Sequence, residues 1–255
     1  MPTHRYLKSF CVALSVLAAF GPPLARAETN VTVVNGFGNI VQSSTGNHSS
    51  NVVVIDGQQY VPTKTVTGPR KTEVRNLAPF SVVDLAAPAD ATFTISPRST
   101  VSISGPAEVL PKVVTTIHDG RLYISTSGNL VLSQPLVVNI TGPSLGGVGV
   151  EGSGTVKLTL PDANTLDLRV AGSGSIAAAG KVSRLNVNIS GSGDVDASAM
   201  RAKALDSNVS GTGDVRAWAS EQANVEVTGS GDVQVLGKPA RRTVNRFGSG
   251  DVDFD

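Results

Sequence analysis

The sequence predicts an all-β chain whose second half is a β-solenoid, a single-chain β-helix built from coils of about 19 residues. Two observations carry this reading. A glycine phrase, Gly-Ser-Gly or a close variant followed by a small polar residue or Asp and then Val or Ile, begins at Gly152, Gly172, Gly191, Gly211, Gly229 and Gly248, at spacings of 20, 19, 20, 18 and 19 residues. Around each copy the aliphatic residues alternate with polar ones at a period of two, as in a strand with one buried face.

Alignment on the first glycine turns the repeat into columns. Two residues before it stand Val150, Val170, Ile189, Val209 and Val227, and four before it Val148, Leu168, Val187, Val225 and Val244, with Ser207 as the exception. Leu166, Leu185 and Leu205 lie two positions further back. After the glycines, Val156, Ile176, Val195, Val215, Val233 and Val252 share a column, followed by Leu158, Ala178, Ala197, Ala217, Val235 and Phe254. Each repeat thus reads as two short strands joined by the glycine turn. A helix cannot hold these columns on one side, and each interior glycine would cost it about 1 kcal/mol. Every buried Val or Leu contributes roughly 1.5 to 3 kcal/mol, and only against the neighbouring coils. The small middle residues predict a narrow, dry bore.

The paired glycines, Gly152 and Gly154, Gly172 and Gly174, Gly191 and Gly193, Gly211 and Gly213, Gly229 and Gly231, Gly248 and Gly250, are read as structural turns that supply positive φ at a corner. On that reading, Gly193→Val destabilises the coil through backbone strain.

Ahead of the repeats, residues 1–27 carry Arg5 and Lys8, an apolar run from Phe10 to Phe20, and Ala25-Arg26-Ala27, the pattern of a cleaved secretory signal peptide. The mature chain is expected to be exported to the periplasm, the medium or the cell surface, with no transmembrane segment. Its sole cysteine, Cys11, leaves with the signal, so no disulfide or thiol chemistry is expected. Loss of Arg5, Lys8 and Arg26 leaves 18 basic against 20 acidic residues, which argues against nucleic acid as a partner. Arg241-Arg242, the one basic pair near the end of the repeats, reads as a solvated edge. Residues 28–71 are expected to be a polar, partly disordered tether rich in Asn, Ser, Thr and Gly, or a strand that docks on the body, with a hairpin expected over Asn51 to Tyr60.

From Thr72 to about Pro143 the expected strands are Phe80 to Leu85, Thr92 to Ile95, Thr100 to Ser104, Val113 to Ile117, Arg121 to Ile124 and Leu136 to Ile140. Asp119-Gly120 marks a hairpin turn, and Pro106 to Lys112 a brief helical turn. These strands are expected to form wider, irregular coils or a small roll that caps the solenoid, with regular repeats from about residue 144.

The order Val74-Arg75-Asn76-Leu77-Ala78-Pro79-Phe80-Ser81-Val82, then Asp119-Gly120-Arg121-Leu122-Tyr123-Ile124, then Leu136-Val137-Val138-Asn139-Ile140, then serial Gly-Ser-Gly-Asp-Val copies resembles the head GIN domain family of bacterial auto-transporter adhesin heads. The resemblance covers residues 72–255 and implies a β-solenoid in an exported bacterial protein. The sequence stops directly after its last repeat, so neither a translocator barrel nor a wall or lipid anchor is expected.

Two constellations invite chemistry. The column after the glycines holds Thr155, Ser175, Asp194, Asp214, Asp232 and Asp251, and four carboxylates about 4.8 Å apart would repel by roughly 1 kcal/mol per pair in water. Either each accepts a turn amide, the favoured reading, or the four hold a Ca²⁺ ladder. No metal and no cofactor is expected. Outer columns such as Asp167, Asn186, Asp206 and Asn224, or Asp196, Arg216 and Gln234, do not converge on an acid–base pair, and stacked amides are expected at Asn188, Asn208 and Asn245. His48 and His118 are the two histidines of the mature chain, and neither has a partner visible in the sequence. Trp218 is the one aromatic outside the inner columns of the repeats and a candidate surface contact, although covering a neighbouring edge is its plainer role. The sequence therefore points to a non-catalytic structural or adhesion-type module whose partner is a glycan, a cell-surface component or another copy of itself. The alternative is a β-helix enzyme acting on polysaccharide.

Overall fold

A computed structural model of the chain describes residues 31–34, 52–55, 58–60, 65–66 and 68–255 apart from 129. The predicted signal segment and most of the predicted tether lie outside the described residues. The chain divides into two units, residues 1–62 and 63–255. In the first, β1 (Val31–Val34) pairs in parallel with β2 (Val52–Ile55), which pairs antiparallel with β3 (Gln58–Tyr60), the hairpin expected there.

The second unit opens with β4 (Thr65–Val66), β5 (Arg70–Asn76), β6 (Val82–Ala86), β7 (Ala89–Ile95) and β8 (Thr100–Pro106), followed by a 3₁₀ turn at Leu110–Lys112. β9 (Val113–His118) and β10 (Arg121–Thr126) form the hairpin at Asp119-Gly120, both residues at positive φ. Then come β11 (Val131–Leu132), β12 (Leu136–Gly142), β13 (Gly147–Gly152), β14 (Thr155–Gly172), β15 (Ser175–Gly191), β16 (Asp194–Gly211), β17 (Val215–Gly229), β18 (Val233–Leu236), β19 (Arg241–Gly248) and β20 (Val252–Phe254). The architecture is an all-β solenoid of about five turns of about 20 residues preceded by irregular strands.

Each of β14 to β17 runs unbroken from one glycine turn to the next and bends at mid-length. In β14 and β15 the parallel register slips at the bend, between Thr159 and Asp162 and between Ala177 and Ala179. The two short strands expected per repeat are thus halves of continuous strands. In β14 the polar stretch Pro161–Thr165 turns the chain without a glycine, whereas β15 has Gly180 at positive φ there. The halves build two stacked faces, here called leading (before the glycine turn) and trailing (after it).

The register is that of the sequence columns. Val156, Ile176, Val195, Val215 and Val233 stand directly above one another and all are buried. Leu158, Ala178, Ala197, Ala217 and Val235 fill the adjacent column, so the bore is closed by small and branched side chains.

Two rungs precede the glycine repeats, and they stack out of chain order. On the leading face the order is β9, β10, β6, β13, then the second half of β14, and on the trailing face β5, β8, β12, β7, then the first half of β14. The coil made by β6 and β7 therefore lies between a coil formed later in the chain, β10 with β12, and the first glycine-bearing coil. Its corner, Ala87-Pro88, takes the place of a glycine turn, with the Ala87 carbonyl beneath Gly154. Antiparallel β9 and β5 close this end, as expected for a capped solenoid.

In each turn only the first glycine has positive φ, +127° at Gly191, which corrects the sequence reading, and in the stacked turns both glycines meet a carbonyl of the turn below. At Gly193 the constraint is proximity, since a Cβ would overlap the Gly174 carbonyl oxygen of the turn below.

Among the described residues of the second unit nothing covers the last rung at the far end. All of β19 is exposed: Val244 because no described coil lies above the column that buries Val225, and Phe247 because it is in register with outward Thr228, so Trp218 is not the one aromatic outside the inner columns. The Arg241-Arg242 pair lies on this edge as expected, and the Arg242 guanidinium stacks 4.7 Å from the Phe254 ring. Arg246, in the register position of Val227, bonds the Gly250 carbonyl at 3.3 Å and Asp251 Oδ1 at 2.8 Å. Two cations thus occupy inward columns at the open edge.

Candidate functional site: the polar leading face

Because side chains alternate in a strand, each buried column of the leading face leaves an outward column beside it. One runs Asp167, Asn186, Asp206, Asn224, Thr243 and the next Arg169, Asn188, Asn208, Glu226, Asn245, each residue in register with the last. Asn186 Nδ2 donates to Asp167 Oδ1 at 2.6 Å, and Asn224 Nδ2 to Asp206 Oδ1 at 2.6 Å. Arg184 Nη1 reaches Asp206 Oδ2 at 2.6 Å. Alternation of carboxylate and amide keeps like charges two rungs, roughly 9.6 Å, apart and gives each carboxylate a donor. Asp167 and Asp206 are therefore separated by an amide and do not form an acid–base couple. Shallow hollows of about 360 and 410 Å³ run along this face.

Where the face meets the earlier rungs, Asp84 is 6% exposed and accepts a 2.7 Å bond at Oδ2 from Arg121 Nη1. That hydrogen bond and the carboxylate charge raise the Arg121 guanidinium above its usual value. No pattern in the sequence marks this pair, because Asp84 and Arg121 lie before the repeats on strands that become neighbours only through the out-of-order stacking.

The turn carboxylates occupy a different edge. Asp214 N donates to Asp194 Oδ1 at 3.0 Å, Asp232 N to Asp214 Oδ1 at 2.9 Å, and Asp251 N to Asp232 Oδ1 at 2.8 Å. Asp194, Asp214 and Asp232 thus each hold the turn amide of the next coil, while Asp251 Oδ1 accepts from Arg246. Among the described residues no three His, Cys, Asp or Glu gather at metal-binding distance.

A family model described as "Putative auto-transporter adhesin, head GIN domain" matches residues 79–239. The chain belongs to this family. The head GIN fold recurs in solved structures. A "putative adhesin" from Bacteroides fragilis is 20% identical, with 74% of this chain and 98% of that one aligned and a TM-score of 0.62. A "putative adhesin" from Parabacteroides distasonis is 18% identical over 74% of this chain and 98% of that one, TM-score 0.50. A "putative lipid binding protein" from the same species is 18% identical over 75% of this chain and all of that one, TM-score 0.51. A comparison with curated proteins gives no match.

In this head GIN domain Trp218 lies on the trailing face, half-buried, with Arg201 stacked 4.6 Å from its ring and Gly237 packed against the indole. Asp196, Arg216 and Gln234 line up across rungs there, as the sequence suggested. His118 is exposed at the β9–β10 turn beside Asp119, at 2.9 Å, and His48 lies outside the described residues. No helix among the described residues is long and apolar enough to cross a membrane.

Proposed function

We propose that the chain is a non-catalytic, exported adhesion-type module that binds a glycan-bearing surface component through the leading face of its solenoid. The observation that carries the proposal is the pair of outward columns just described, in which Asp and Asn recur in register across successive rungs. Such a face offers hydrogen-bond donors and acceptors at the 4.8 Å rung spacing, a pattern suited to the repeated hydroxyls of a glycan. Its carboxylates are spaced out by amides, which suits binding better than proton transfer. Membership of an adhesin-named family supports the same reading.

The test uses the purified chain and isolated cell envelopes in a pull-down. Asn188→Arg with Asn208→Arg on the leading face should abolish retention, whereas Lys157→Ala on the trailing face should not. Retention that survives the leading-face pair, or release of new reducing ends from a polysaccharide by the native chain, overturns the proposal.

A further inference from the structure

On the leading face every rung from β14 to β19 carries side chains in both outward columns, but β13 carries none. Its outward residues are Gly147 and Gly149, in register with Val82 and Asp84 on one side and Asp167 and Arg169 on the other. The bare rung is the floor of a notch of about 300 Å³, walled by Asp84 and Arg121 towards β10 and by Asp167, Arg169 and Asn188 towards β15.

Packing accounts for one of these glycines. A Cβ on Gly149 would collide with Asp84 Oδ1, so that glycine makes room for the buried carboxylate. Gly147 has no such reason. Its φ is not positive, and a Cβ there would find Val82 Cγ1 at 3.4 Å and Asp167 O at 3.5 Å, ordinary contact distances. The fold would accept alanine at this position, yet the floor is bare.

The walls fix the chemistry of an occupant. Arg121 keeps N–H groups beyond the one given to Asp84, and Arg169 is exposed and forms no ion pair or side-chain hydrogen bond among the described residues. Two guanidiniums face two carboxylates, so the notch has no net charge, and an anion or a cation would meet a like charge as closely as an opposite one. A neutral polyol, whose hydroxyls both donate and accept, satisfies both kinds of wall. Tyr123, 40% exposed, is the register neighbour of Asp84 on β10, one strand beyond it, and does not line the notch. The volume sits at the lower end of the range for small-molecule pockets and suits one sugar ring. The neighbouring hollows over Asn188 and Asn208 continue from it along the face.

We propose that the glycine notch on β13 is the subsite for one neutral hexose unit of a glycan, its hydroxyls donating to Asp84 and Asp167 and accepting from Arg121 and Arg169. The proposal rests on the adhesion reading above and adds the location and the sugar class.

The experiment measures binding of the purified chain to immobilised mannan, galactan and glucan fragments beside uronic-acid and sulfated glycans. Arg169→Ala and Gly147→Ala are compared with Lys157→Ala, and folding is followed by melting temperature. Expected are binding to a neutral hexose glycan and at least a tenfold loss in both notch variants, with melting temperatures within about 3 °C of the native chain. Undiminished binding in folded notch variants overturns the subsite and leaves the adhesion reading standing. Binding only to charged glycans overturns the sugar class. Absence of all glycan binding overturns the subsite, and the envelope pull-down then decides the adhesion reading separately.

Discussion

Ser207→Val should stabilise the solenoid. Ser207 stands in the inward column of Leu168, Val187 and Val225, is 4% exposed, and its Oγ has no hydrogen-bond partner. A buried hydroxyl without a partner costs about 1 to 3 kcal/mol relative to an apolar group of the same shape. Valine exchanges it for two methyl groups, and each added buried carbon contributes roughly 0.8 kcal/mol if the space exists. The rungs on either side hold valine at the same register position, so the column accepts that shape. A net gain of about 2 kcal/mol corresponds to a rise of roughly 4 to 8 °C in a domain of this size. Differential scanning calorimetry measures it, with Ser207→Ala as the companion that removes the hydroxyl without adding volume. A fall in melting temperature for both variants would refute the reasoning, since it would mean that the hydroxyl is satisfied. A fall for valine alone would mean that the column is already full.

Gly193→Ala should cost about 2 to 4 kcal/mol, because its Cβ has no space beside the Gly174 carbonyl. Gly152→Ala, at positive φ but with no atom within 4 Å of the new Cβ, should cost only about 1 to 2 kcal/mol. Equal costs in urea titrations would refute proximity as the larger constraint. Asp214→Asn keeps the acceptor for the Asp232 amide and removes one charge from the column, so the melting temperature should rise by about 1 to 3 °C at low salt and return to the native value near 1 M NaCl. A salt-independent fall would show that the charge itself strengthens the turn. Arg242→Val with Arg246→Val removes both inward cations from the open edge, and analytical ultracentrifugation should then show concentration-dependent oligomers that the native chain does not form. A monomeric double variant would refute a guarding role for these arginines.

The regular coils were legible because each residue of a solenoid meets its own counterpart above and below, so one environment is written several times over. Val195, Val215 and Val233 repeat for that reason, and the alternation around them gives the buried face. The Asp turn column was legible for the same reason, down to the amides that it holds. The earlier coil was not. Val82–Ala86 and Ala89–Ile95 turn at Ala87-Pro88 instead of at a glycine, and they pair with strands far along the chain, so neither spacing nor phrase marks them as a rung. The notch was hidden for a related reason. Gly147 and Gly149 look in sequence like the loop leading to the first turn, and the residues that wall them come from β6, β10 and β14, which only the out-of-order stacking brings together.

That stacking also explains why the most varied chemistry sits at the seam and not in the regular coils. In the repeats, an outward residue is flanked by positions with the same backbone geometry at nearly the same spacing, and the columns settle into short-range alternation of amide and carboxylate, as at Asp167, Asn186, Asp206 and Asn224. At β13 the neighbours on the two sides belong to different kinds of coil, one glycine-turned and one not. The pairing of Val82 and Asp84 with Gly147 and Gly149 crosses far more chain than the spacing of about 19 residues that joins regular coils, so this junction closes a longer loop at a higher entropic cost. The part-buried Asp84–Arg121 bond and the aliphatic pair Val83 and Val148 offset that cost at the same junction. Gly147 joins the junction through backbone pairing, which a change of side chain leaves in place, and the Arg169 side chain forms no hydrogen bond or ion pair among the described residues. Substitutions at these two positions should therefore move ligand binding without moving the melting temperature, which separates a binding surface from a structural seam.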